Sequence, residues 1–213
     1  ARFGVTVRYY VAATACLVIG AGLGVAMANS TLPGTVHERF VVGHAAVNLF
    51  GWVGLTVLGT LVTLWPTMLR TRMAAGVELA ARRGLPMLLA ALAVAVGGAV
   101  AGSPAITGLG AVGYLGATGF VLWPHLDEVR RKRPNDFATL SVLAGVIWLM
   151  GSLVFAAVAL MMSPTWPAAV ATAGGLTAPV LAGFLVQVLL GSLTYLTPVV
   201  VGRRSAALAA GAE

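Results

Sequence analysis

The chain has 213 residues, of which 59% are hydrophobic and only 9% charged, with a mean hydropathy of +0.96. A water-soluble domain of this size cannot bury that much apolar surface, so composition excludes a soluble enzyme or binding module and points to an integral membrane protein. The formal net charge of +7 is not a nucleic-acid footprint, because the basic residues flank apolar runs and form no patch with interleaved aromatics.

Six apolar runs are long enough to cross a bilayer, at residues 7–27, 40–69, 85–101, 105–123, 137–162 and 180–201. They predict an all-α membrane protein, a six-transmembrane-helix bundle forming one polytopic domain over residues 1–213. Arg2 and Arg8 lie before and at the start of the first run, whose length reads as a span and not as a cleaved leader. It holds the one cysteine, Cys16, so no disulfide, CxxC redox pair or cysteine zinc motif is available. Gly20 with Gly24 here, and Gly98 with Gly102 at the end of the third run, are GxxxG pairs that let helices approach closely in lipid.

The second run is free of charge from Phe40 to Leu69, about 45 Å of helix. His37, His44 and Asn48 lie on its entering half at spacings of seven and four, which place them on one helix face. An imidazole and a carboxamide inside a bilayer need partners, so that face should look into protein. MAAGVELAARR, residues 73–83, has a weak amphipathic pattern and predicts a short interfacial helix. Pro86 then falls in the first turn of the third span, where its missing N–H is tolerated. LDEVRRKRPND, residues 126–136, mixes charges and predicts a solvated turn beside the headgroups.

GTLVTLWP, ATGFVLWP and GSLTYLTP end at Pro66, Pro124 and Pro198, and an arginine follows each proline six positions on, at Arg72, Arg130 and Arg204. The likeness suggests three tandem helix hairpins in the same orientation, against the plainer reading that small residues, aromatics and proline are common at a span's end. All but one of the 13 basic residues lie before the first span, after the last, or in the second-to-third and fourth-to-fifth connections. Only Arg39 lies on the other side, so the positive-inside rule predicts a multi-pass cell-membrane protein with both termini cytoplasmic.

His44 is the sharpest candidate for chemistry. A neutral imidazole in a bundle interior can ligate haem iron or copper, with Asn48 one turn deeper as its neighbour. The plain alternative is a histidine satisfied by interhelical hydrogen bonds. His37 could join a metal site or a docking surface, against the plainer reading of a solvated interfacial side chain. His125 reads as a capping or headgroup-facing group at the cytoplasmic end. Met27, Met161 and Met162 fall at the extracytoplasmic ends and suit copper(I), though thioethers more often fill gaps. Thr107, Tyr114, Gln187 and Tyr195 are the other polar groups that could face a cavity. No acidic residue lies inside a span, which argues against a carboxylate proton relay, and no hydrolase or dinucleotide motif is present.

The run HAAVNLFGWVGLTVLGTLVTLWPTMLRTRM, with VRYYVAATACLVIGAGLG before it and VQVLLGSLTYLTPVVVGRR at the end, resembles the membrane-embedded domain of actinobacterial multicopper oxidase and copper nitrite reductase-like proteins. His44 and Asn48 match that family's His-x-x-x-Asn run. The copper-binding His and Cys clusters of cupredoxins are absent, so oxidase activity does not carry over. The resemblance implies the membrane module of a copper- or haem-linked redox system, with a cupredoxin-type domain or partner. The rival expectation is a non-catalytic membrane scaffold or small-solute permease in which His44 only packs.

Overall fold

A computed structural model describes residues 4–29 and 31–210; the side chains of Asn29, Val199 and residues 203–210 are not described, and Arg2, Arg203 and Arg204 of the charge pattern therefore fall outside the account. The described residues form helices and turns without a strand, and six helices are long and apolar enough to cross a membrane.

α1, Gly4–Asn29, shows why this is a membrane bundle. Val5, Tyr9, Ala13, Cys16 and Gly20 recur every three or four residues and are buried, whereas Val11 and Val18 are 65% and 67% exposed. One stripe faces protein; the apolar remainder faces lipid.

α2, Gly34–Met68, begins six residues before the predicted run because Pro33 supplies the carbonyl that receives the first helical N–H groups, those of Val36 and His37. His37 and Arg39 therefore belong to the helix itself. Residues Val47–Gly54 are wound as a π-helix, which sequence periodicity does not foretell.

α3 is Val77–Ala101, and this corrects two expectations. From Val77 on, the stretch predicted as an interfacial helix is the first two turns of the span, because Val77, Ala81, Gly84 and Leu88 form one buried stripe that continues into the membrane. Pro86 is consequently interior, where it deprives the Arg82 carbonyl of its helical donor.

α3 turns into α4, Pro104–Leu122, through Gly102 at φ 73°, whose N–H and that of Ser103 cap the Ala99 and Gly98 carbonyls. The segment predicted as a solvated turn instead carries a two-turn helix, α5, His125–Arg131, in which His125 and Glu128 are buried. α6, Phe137–Met162, is followed by a short α7, Trp166–Ala173, and by α8, which starts as a π-helix at Pro179–Val186 and continues over Gln187–Ala210.

Consecutive spans pair as α1 with α2, α3 with α4 and α6 with α8, so the three helix hairpins are present. Gly59 and Gly191, the first residues of two of the repeated octapeptides, are where the outgoing helix meets its partner: a Cβ on Gly59 would meet Tyr9, and one on Gly191 the Ala138 carbonyl. The hairpins join as α2 on α3 and α4 on α6, and α8 returns to α2 where the Tyr195 hydroxyl donates to the Thr67 carbonyl.

Asp136 starts α6 with a capping box. Its carboxylate accepts the Thr139 N–H at 2.8 Å and the Thr139 hydroxyl at 2.7 Å, and these bonds, the N–H first, with the more distant Arg70 charge, hold its pKa below the ordinary aspartate value. A depressed folded-state pKa means that this stabilisation is present above the unfolded value of about 3.9 and is lost as pH falls through the folded value. Asp136→Ala is expected to cost about 1 kcal/mol at neutral pH. Thermal denaturation in detergent should show that gap narrowing below about pH 3.9; a gap independent of pH would contradict the charged cap.

Candidate functional site

His44 sits where α2 crosses α1. Its Nδ1–H donates to the Gly20 carbonyl at 2.8 Å, and since a carbonyl can only accept, the other nitrogen, Nε2, carries the lone pair. Asn48 Nδ2 lies 3.4 Å from that nitrogen and donates to the His44 carbonyl at 2.9 Å. At His44 and Asn48 the polar face looks into protein. Its reception depends on the glycine pair in α1: a Cβ on Gly20 would overlap the Asn48 amide, and one on Gly24 would come 3.2 Å from the imidazole Cε1. Both residues are half-buried. His37 is exposed, two turns away and about 10 Å along the axis, so the helix does not bring the two imidazoles to one ion.

Haem iron or copper would need one imidazole nitrogen with its lone pair free. Nδ1–H bonded to a carbonyl is the orientation that frees Nε2 as a ligand. The space beside Nε2, however, holds the Asn48 amide, and among the described residues no three His, Cys, Asp or Glu side chains come together. As arranged, His44 makes an interhelical hydrogen bond, and haem iron or copper would reach its Nε2 only with the Asn48 amide displaced.

The bundle's main cavity lies on another face of α2. It has a volume of about 460 Å³, within the range of roughly 300–1,000 Å³ common to small-molecule sites. Val42, Ala46, Leu49 and Phe50 of α2, Ala111 of α4 and Leu153 of α6 form much of its wall, and α7 with the start of α8 adds to it. Thr107, Tyr114 and Thr177 bring the only hydroxyls among its lining residues. The Tyr114 hydroxyl is committed, donating at 2.8 Å to the Phe50 carbonyl within the π-helical stretch, and the Phe50 and Tyr114 rings meet at 5.5 Å. The Thr107 hydroxyl donates to the Ser103 carbonyl at 2.8 Å. Of the polar residues expected near a cavity, Thr107 and Tyr114 reach it; Gln187 does not line it, and Tyr195 bonds the Thr67 carbonyl at the far end. Met161 and Met162 are exposed.

A second polar cluster went unread in the sequence. Glu128 is fully buried and His125 nearly so: Oε2 accepts His125 Nδ1–H at 2.8 Å, and Oε1 accepts the Ala74 backbone N–H at 2.8 Å. His125 is thus no headgroup-facing side chain. Its Nε2 has no partner and borders a small apolar pocket of about 80 Å³ between Leu61, Trp65 and Val142. The available signal was the i, i+3 spacing of His125 and Glu128, with both on the side of the buried Val121.

Comparison with protein-family models, characterised proteins and solved structures gives no match to this chain.

Proposed function

We propose that this chain is a non-catalytic multi-pass membrane protein that admits a lipophilic molecule into the cavity between α2, α4, α6 and α8. The observation that carries the reading is the apolar cavity itself. A bilayer gives no driving force for helices to leave such a space open to water, and apolar cavities take apolar occupants. Its rim residues Val41 and Leu181, on α2 and α8, are 44% and 47% exposed. A hydrocarbon chain can therefore enter sideways from lipid. His44 and Asn48 then serve to hold α1 against α2 beside the cavity wall.

Filling the cavity tests this. Ala156→Phe, on a wall position that is only half-buried, is expected to weaken binding of a long-chain alcohol about tenfold while leaving the circular dichroism of the purified protein unchanged. Equal binding by both proteins would show that the cavity is not the site.

The arginine-rich end is proposed to lie in the cytoplasm, on the loop charges. Cysteine introduced at Met162 should react with a membrane-impermeant thiol reagent added outside cells, and cysteine at Lys132 should not; the reverse pattern would invert the topology.

The second reading is a copper- or haem-linked redox module with a cupredoxin-type partner, favoured by the Nδ1–H bond to Gly20 and by the family resemblance. It requires the Asn48 amide to swing away. A Soret band or stoichiometric copper that disappears in His44→Ala would establish it, and a colourless, metal-free wild-type protein would remove it.

A further inference from the structure

Among the described residues Arg39 is the one arginine or lysine at its end of the bundle, and its placement bears on what the cavity holds. Residues 39, 42 and 46 of α2 stand at i, i+3 and i+7 and share one helix face. Val42 and Ala46 line the cavity, and Arg39 continues their stripe one turn outward, about 4.5 Å along the axis from Val42. Its guanidinium rests on the Gly102 turn between α3 and α4, where a Cβ would overlap it, and Thr107 of the next turn lines the cavity in its own right. The head of Arg39 is thus held on the turn that joins α3 and α4, two helices that both contribute to the cavity wall.

That guanidinium is not spoken for. Its Nε is buried without a hydrogen-bond partner, and among the described residues no carboxylate pairs with it. The C-terminal carbonyls of α3 favour a cation at this position, yet they leave the Nε–H unused. A guanidinium presents a planar fork of donors that suits a carboxylate, and charge-assisted bonds of this kind are strongest at the edge of an apolar medium.

We propose that the occupant is an anionic single-chain amphiphile, a long-chain fatty acid, with its hydrocarbon in the cavity and its carboxylate on Arg39. This rests on the cavity reading above and adds the head group. The test is binding of tritiated palmitate and of tritiated hexadecanol to the purified protein in neutral detergent, read by scintillation proximity. Palmitate should bind more tightly than hexadecanol. Arg39→Gln should weaken palmitate about tenfold or more and leave hexadecanol within about twofold, Arg39→Lys should recover part of the loss, and Ala156→Phe should weaken both. Hexadecanol binding as well as palmitate, with Arg39→Gln neutral, would overturn the head-group assignment while the cavity reading stands. Failure of the wild-type protein to bind either lipid would overturn both.

Discussion

Glu128→Ala is expected to destabilise the protein by about 3–5 kcal/mol, the range for breaking a buried pair by removing one member. The carboxylate is fully buried, and it joins two parts of the chain that are 54 residues apart: the Ala74 N–H, in the connection between α2 and α3, and the His125 ring at the start of α5. Truncation strands a backbone donor and an imidazole nitrogen away from water and leaves a cavity besides. Glu128→Gln discriminates the electrostatic part from the packing part. Its amide oxygen can still accept from Ala74, but its NH₂ then faces His125 and forces the other tautomer, which turns an N–H toward the apolar pocket beside Trp65. That variant should cost about 1–3 kcal/mol. Unfolding titrations in mixed micelles measure both, and a loss below about 1 kcal/mol for the alanine variant would show that Glu128 is not a fastening point.

The contrast with the exposed pair beside it is instructive. Arg130 and Asp127 bond at 3.0 Å with side chains 71% and 55% exposed, a geometry worth little in water. In the sequence both acids belong to one mixed-charge run, and nothing in composition separates Asp127 from Glu128. Only the helical phase does, and it was hidden because the run was too short to show a period. The same limitation explains α3. Glu78, Arg82 and Arg83 look like an interfacial segment, yet they occupy the exposed side of turns whose other side, Val77, Ala81 and Gly84, continues the membrane stripe. By contrast, α1 and α6 were legible, since twenty or more apolar residues after a charged flank admit few alternatives. The inward aim of His44 and Asn48 was legible too, because a polar pair in lipid must find partners; that the partners would be a backbone carbonyl and each other was not. The π-helical winding at Val47–Gly54 has no composition of its own, and it decides that Phe50 offers its carbonyl to Tyr114.

The largest packing effect is expected at Gly110. α3 and α4 are the most closely apposed helices, antiparallel about the Gly102 turn: Gly98 lies opposite Thr107, Ala95 opposite Gly110, and Ala91 opposite Gly113. A Cβ on Gly110 would overlap the backbone nitrogen and Cα of Ala95, atoms that cannot rotate aside. Relief requires the helices to part along their whole seam, and in lipid no hydrophobic gain offsets the lost contacts. Three glycines on α4 turn this into a graded experiment. At Gly116 a Cβ meets nothing within 4 Å, so Gly116→Ala should stabilise by up to about 1 kcal/mol through helix propensity alone. At Gly113 it would come 3.1 Å from the Ala91 methyl, close enough to cancel that gain. Gly110→Ala should cost about 3 kcal/mol, the upper part of the overpacking range, and should weaken ligand binding as well, because Ala95 and Ala111 beside the seam both line the cavity. Equal stabilities for the 110 and 116 variants would mean that the two helices do not approach as closely as their glycines allow.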